Sequence, residues 1–385
     1  MRHFSGGFKI LAPLLAAAAL HGQTVKAEPA AGVYKIGFVT ENTGPLAYAG
    51  QSYWNGAQLA LSEINAKHYL GASATMALDG KESASDAARA IQAMRQFIGD
   101  RSVIATSCCI LSPVANALKP VVTSGKVPLV IFGATGPGLP QPPWIYNMTI
   151  LPGPQDVATG VDVSKKLNLK SAAYILTSDN DAFKGRMEDT RHALEAQGVK
   201  TTGVVNVLTR DTDFTAAATQ AMAMNADMIL VYATQGAATG AITALRDRGY
   251  KKTIVTTDVV SPASVFKKMG SALVGVPYPI SFSDSLSSSP EAKAFASDYQ
   301  KRFGATPDIY SAQGYQVVWF VAQGLKSLSG TPTREQLAEA LAKIKTIEHT
   351  VYGSEEMVAG QATTRGTLIV NRTSDGNLVA WAPAK

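Results

Sequence analysis

Apolar, β-rich runs alternate with helix-spaced segments through most of this chain, and no other feature of the sequence limits its fold as tightly. "YKIGFVT" at 34–40 reads as a strand, and the next segment, 52–67, places Tyr53, Ala57, Ala60, Leu61 and Ile64 on one helical face. "ATMAL" leads to a helix over 85–98, "SVIAT" to one starting near Ser112, and "VPLVIF" to a loop rich in glycine and proline. After "GPGLPQPPWIYN" the same grammar repeats: "SAAYIL", a helix over 183–197, "TTGVVNVL", a helix over 214–224, "DMILVYA", a helix over 240–248 and "KTIVTT". Gly198 and Gly249 stand where helices should stop, because glycine takes a left-handed cap without steric cost. Such alternation implies parallel strands joined by right-handed crossovers. Each set has enough elements for its own sheet and core, which predicts an α/β fold of two doubly wound lobes.

The last third differs. Helices are expected over 290–303, 309–328 and 333–344, the second apolar almost all round and therefore buried. The tail, "RGTLIVNRTSDGNLVAWAP", carries two strand-like runs about a hairpin-type turn at "SDGN".

The N-terminus reads as a secretory leader. Arg2, His3 and Lys9 precede an apolar run over 10–20, and Val25 and Ala27 supply small residues before Glu28. That run is about half of the ~20 residues a membrane span needs, so 1–27 is read as a cleavable signal peptide. Removing Arg2, Lys9 and Lys26 lowers the formal net charge from +6 to +3, and no basic run exists for nucleic acid. No cysteine flanks the cleavage site, so a lipid anchor is excluded and the periplasm is the expected compartment.

The two cysteines, Cys108 and Cys109, are adjacent. Neighbouring Cα atoms lie about 3.8 Å apart, below the usual range for a bridge, so two small reduced thiols are expected, buried or lining a site; a redox pair is the alternative. Enzyme signatures are missing: no G-x-S-x-G elbow, Walker loop or H-E-x-x-H occurs, "GATGPG" has the wrong glycine order for a dinucleotide fingerprint, and His68, His192 and His349 are isolated. No catalytic residue, cofactor or metal is assigned.

A cleft remains. Ligands of open α/β sheets sit beyond the carboxyl ends of strands, and 105–113 and 132–136 are the best loops for one. Ser112 followed by Pro113 fits a helix start, so the preceding backbone N–H groups are expected to face an anion.

The residues resemble the type I periplasmic solute-binding proteins of ABC transporters, in particular the leucine/isoleucine/valine-binding branch. The opening "IGFVTENTGPLAYAGQSYWNGAQLALSEINA" carries the likeness, which continues through "DAFKGRMEDTRHALEAQG", "DFTAAATQAMAMNADMILVYA", "VTTDVVSP" and "PDIYSAQGYQVVW". It implies two lobes joined by three hinge crossings, near Asn147, Pro277 and Gly353. The first lobe would then comprise 28–147 and 278–353, the second 148–277 and 354–385. It also implies capture of an amino acid or an aromatic or aliphatic carboxylate by a monomer, which delivers it to membrane permease subunits.

The resemblance places Cys109 at a carboxylate-binding serine with Ser107 nearby, Gly133 at a backbone contact and Thr135 at a second hydroxyl. Phe183 matches an aromatic, Thr234 and Ala49 fall at positions often aromatic, Asp258 matches an ammonium-binding acid, and Tyr310 an aromatic side wall. Each has a plainer role open to it: Asp258 as a helix cap, Thr135 as a loop hydrogen bond, Tyr310 as core. A thiol donates weakly, and lost bulk at Thr234 and Ala49 enlarges the pocket, which favours a larger, less amino-acid-like ligand such as an aromatic one. A sensor feeding a signalling protein and a secreted enzyme are the alternative functions.

Overall fold

The computed structural model describes residues 1–3, 28–44, 46–364 and 366–383; most of the expected leader, 4–27, lies outside them. The first repeat of the alternation becomes β1 (Gly32–Thr40), α1 (Ala47–Ala66), β2 (Ala74–Glu82), α2 (Ala87–Gly99), β3 (Val103–Cys108), α3 (Ser112–Gly125), β4 (Leu129–Ile131) and β5 (Ile145–Asn147). The second becomes α4 (Pro152–Lys166), β6 (Ser171–Thr177), α5 (Asp181–Glu195), β7 (Lys200–Val207), α6 (Thr215–Ala223), β8 (Met228–Tyr232), α7 (Gln235–Asp247) and β9 (Thr253–Thr256). After α8 (Ala263–Met269) and β10 (Tyr278–Ile280) come three helices, α9 (Pro290–Phe303), α10 (Ile309–Lys326) and α11 (Arg334–Lys343). Four short strands close the chain: β11 (Glu356–Val358), β12 (Gln361–Thr363), β13 (Leu368–Arg372) and β14 (Leu378–Ala380).

Among the described residues the strands form three sheets, in the orders β11-β12-β5-β4-β3-β1-β2, β7-β6-β8-β9 and β10-β13-β14. Every pairing within β1 to β5 and within β6 to β9 is parallel, as the alternation predicts. Strand order reverses between β1 and β3 and again between β6 and β8, and ligand crevices open at such switch points. Apolar side chains cover both faces of each large sheet: Phe38, Phe132 and Phe320 against Phe97, Leu118 and Ile131 in the first, Ile175 and Val231 against Tyr174 and Leu230 in the second. The expected hairpin forms, with Arg372 opposite Leu378 across the turn.

The chain passes between the lobes three times. The first passage follows β5, whose last residue is Asn147. The second comes after Ile280 rather than at Pro277, because Tyr278 and Ile280 are buried in the second lobe and pair with β13. The third comes after Thr363 rather than at Gly353, because Gln361 pairs with Asn147 and carries β11 and β12 into the first sheet.

Helices α1 and α10 approach each other closely at two glycines. A Cβ on Gly56 would collide with the Ser311 carbonyl, and one on Gly314 with the Tyr53 carbonyl. Only glycine allows that approach, and it sets Tyr53 beside Gln313.

Glu355, 1% exposed, accepts from Gln316 Nε2 at 2.8 Å and Thr350 Oγ1 at 2.7 Å. Burial pushes its carboxyl up to about 8, against the pull of those two hydrogen bonds. The folded chain therefore holds a proton that the unfolded chain releases near the ordinary 4.5, so this group's share of stability falls as pH rises from there to about 8. Glu355→Gln is expected to flatten that slope: the difference in unfolding free energy between pH 5 and pH 8, measured by urea titration, should be smaller than in the parent.

Candidate functional site

The carboxyl ends of β1 and β3 meet at the first switch point, but the chain fills that place itself. Glu41, directly after β1 and 1% exposed, accepts the Ile110 backbone N–H at 2.8 Å and is hydrogen-bonded by Ser85. Burial raises its pKa, and the bonds from Ser85 and Ile110 pull it back down. The anion expected before α3 is thus an internal carboxylate.

The cysteines differ from expectation in the same place. Cys108 and Cys109 are joined by a disulfide rather than reduced, and both are fully buried. They pack beneath α2 and α3 with Val39, Met94, Phe97, Val114 and Leu118, so they belong to the first lobe's core and do not line the cleft. Ser107 is likewise fully buried and donates to the Val130 carbonyl at 2.8 Å. It is spent within the sheet.

The loop after β4 does reach the cleft. Ser112 Oγ accepts the Gly136 N–H at 2.9 Å, the Ala134 N–H donates to the Cys109 carbonyl at 3.1 Å, and Asn147 Nδ2 donates to the Ala134 carbonyl at 3.0 Å. These bonds pin Gly133 and Thr135 in position. Gly133 has φ +83°, and a Cβ there would lie 2.6 Å from the Tyr53 hydroxyl.

Between the lobes is a cavity of about 100 Å³. From the first lobe Tyr53, Gly133, Thr135, Ile309, Tyr310 and Gln313 line it, and from the crossings Thr149, Ile150, Ile280 and Ser281. Pro152, Gln155 and Asp258 close it from the second lobe. Tyr53 donates to Gln313 Oε1 at 2.8 Å, and its ring sits 5.5 Å from that of Tyr310. Burial raises the Tyr310 pKa, and the charges of Asp258 and Asp308 add to the rise.

Of the residues expected at the site, the cavity therefore gathers Gly133, Thr135, Asp258 and Tyr310. It does not include Ser107, Cys109, Phe183 or Thr234. Phe183 is buried in the second lobe's core with the Arg186 guanidinium 5.2 Å from its ring centroid. Thr234 precedes α7 and donates its backbone N–H to Thr177 Oγ1 at 3.2 Å. Ala49 packs into the first lobe's core. The expected enlargement is absent because none of these positions borders the cavity, while Tyr53, Tyr310 and Gln313 fill its first-lobe wall.

Asp258 is neither an open ammonium site nor a solvated cap. Arg186 Nη2 donates to Asp258 Oδ1 at 2.6 Å, while its Nε and Nη2 hold both oxygens of Asp156 at 2.6 and 3.2 Å. Asp156 is 1% exposed in its side chain and Arg186 14%. Burial pushes Asp156 up to about 7 although Arg186 pulls it down; burial alone would lower Arg186, but Asp258 and Asp156 outweigh it and raise its pKa. The guanidinium stays charged. Neither Arg186 nor Asp156 was anticipated from sequence, though Arg186 lies inside "DAFKGRM", where an arginine three residues after the aromatic is the available signal.

Among the described residues no group of three or more His, Cys, Asp or Glu could hold a metal ion, and no helix is long and apolar enough to cross a membrane.

Comparison with known proteins agrees with this architecture. The Leu/Ile/Val-binding protein BraC3 of Rhizobium johnstonii is 28% identical over 321 residues, covering 81% of this chain and 84% of that protein. Among solved structures, the substrate-binding protein LivJ of Streptococcus pneumoniae, in complex with isoleucine, superposes with a TM-score of 0.73 at 25% identity, covering 90% of this chain and 98% of that one. A solute-binding protein of an ABC transporter from Rhodopseudomonas palustris, in complex with p-hydroxybenzoic acid, gives 0.74 at 20% identity, covering 91% and 98%. The Periplasmic binding protein family model matches residues 33–376, and the chain belongs to that family.

Proposed function

We propose that this chain is a monomeric periplasmic receptor that captures a compact, amine-free carboxylic acid, a monocyclic aromatic acid above all, and delivers it to the permease subunits of an ABC importer. The family is one of solute-binding proteins rather than enzymes. Its fold carries isoleucine in one relative and p-hydroxybenzoic acid in another, so the choice of ligand has to come from this chain's own residues.

One observation carries the choice: the Asp258 carboxylate is engaged by Arg186 at 2.6 Å. A ligand ammonium would have to displace a guanidinium that Asp156 also holds, and would meet its positive charge on approach. An acid without an amine meets no such competitor. Its carboxylate is assigned to Thr135 and the backbone of the Gly-rich loop, and a flat ring suits the apolar walls of Tyr53, Tyr310, Ile150 and Ile280. Contact with both lobes is what lets such a ligand favour the closed form.

Thermal melting of ligand-stripped protein tests this against aliphatic amino acids, aromatic amino acids and amine-free aromatic acids. A ligand at a hundredfold over its Kd adds about 2.7 kcal/mol, enough to move the melt by several degrees. Aromatic acids should produce that shift and leucine should not; stabilisation by amino acids alone would sink the reading. Thr135→Val should weaken the acid by about tenfold to a hundredfold, the worth of a hydrogen bond to a charged group, as read by isothermal titration.

A further inference from the structure

Two polar groups on residues lining the cavity have no partner among the described residues. Thr149 Oγ1 and Gln155 Nε2 are buried without a hydrogen bond, on residues only 3% and 5% exposed. Leaving such a group unpaired costs about 1–3 kcal/mol, so a ligand atom that satisfies them recovers that cost on binding.

Both groups are presented from a fixed backbone. The Thr149 N–H donates to Asn147 Oδ1 at 3.0 Å, its carbonyl accepts from Gln361 Nε2 at 2.7 Å, and the Gln155 carbonyl accepts from the Thr159 hydroxyl at 2.8 Å. Thr149 stands on the first crossing and Gln155 in the first turn of α4, and both residues line the cavity at the junction of the lobes. The chemistry of the pair narrows what it can receive. An amide nitrogen only donates, whereas a hydroxyl both donates and accepts. An ammonium has no lone pair for Gln155; a neutral oxygen on the ligand, a hydroxyl or a carbonyl, can serve both.

We infer that Thr149 and Gln155 form a subsite for a second oxygen of the ligand, so that a ring-hydroxylated aromatic acid is preferred over its unsubstituted parent. The inference rests on the amine-free aromatic acid reading above and adds the ring oxygen to it.

Isothermal titration of the mature protein with benzoate, 3-hydroxybenzoate and 4-hydroxybenzoate tests it, in the parent and in Thr149→Val, Gln155→Leu and Thr149→Ser. The better hydroxybenzoate should bind the parent about threefold to tenfold more tightly than benzoate, the ratio that one net hydrogen bond supplies. Thr149→Val and Gln155→Leu should each bring the ratio near one, and Thr149→Ser should retain it. Since neither group has a protein partner, the Val and Leu variants should melt no lower than the parent when unliganded, which a structural role would not allow. Equal affinity for benzoate and both hydroxybenzoates in the parent would overturn the subsite while leaving the aromatic acid reading intact. An unchanged ratio in the Val and Leu variants would do the same. If no aromatic acid binds, that reading falls and the subsite falls with it.

Discussion

Replacing Arg186 by methionine is expected to cost about 3–5 kcal/mol of stability at pH 8, because it strands a buried carboxylate. Asp156 has 1% side-chain exposure and both of its oxygens on Arg186; among the described residues no other cation bridges to it. Without the guanidinium the pull that limits the Asp156 pKa to about 7 is gone, and its titration moves upward. The sign follows from linkage: a carboxyl raised in the folded state costs stability as pH climbs from its unfolded value through its folded one. Arg186→Met should therefore be least damaging near pH 5 and most damaging near pH 8. Urea unfolding at the two pH values measures it, and a loss below about 1 kcal/mol at pH 8 would contradict the burial of the pair. Asp156→Leu combined with Arg186→Met should recover most of the loss, since it removes the stranded charge. The single variant also frees Asp258, so it should bind amino acids more tightly than the parent does.

The second large effect is expected at the α1–α10 crossing. Gly314→Val sets a branched side chain where the Tyr53 backbone carbonyl already stands, and no rotamer relieves a clash that begins at Cβ. The helices must separate. Overpacking of this kind costs about 1–3 kcal/mol when neighbours are side chains, and more when they are backbone. A loss above about 3 kcal/mol in denaturant titration is expected, together with loss of ligand binding, because Tyr53 and Gln313 meet across this crossing to form one cavity wall. Gly236→Ala, on α7 with open space around it, is the control and should be neutral or stabilising. Equal behaviour of the two variants would refute the close approach.

The alternation of β-rich runs and helical spacing sufficed for the two parallel sheets, because burying both faces of a sheet leaves apolar strands that are hard to misread. Helix α4 escaped notice for the opposite reason. It buries Gln155, Asp156, Thr159 and Ser164, so its inward face lacks the apolar stripe that periodicity detects. Gln155 and Asp156, two of the residues that shape the cleft, stand on that unnoticed helix. Strands β11 and β12 are three residues each, too short for alternation to register, and this displaced the third crossing. Of the residues that line the cavity, Gly133, Thr135, Asp258 and Tyr310 are those that family likeness points to. Arg186 was not, since its role depends on Asp156 and Asp258, 30 and 72 residues away. The cysteine loop was misplaced because sequence shows that two thiols are adjacent but not which way the strand end turns them.

The three crossings also impose an order on how the protein can be made. Residues 148–280 hold the whole of the second parallel sheet in one continuous stretch, and only β13 and β14, which join β10 in the small third sheet, come later. The first sheet is finished only by β12, and α1 waits for α10. A chain emerging from its N-terminus therefore completes most of its second lobe while the first still has a bare glycine-lined helix face and an open edge at β5. Unpaired edges of that kind recruit other chains, so the interval before Thr363 emerges is when this protein is most exposed to aggregation and most in need of a holding chaperone.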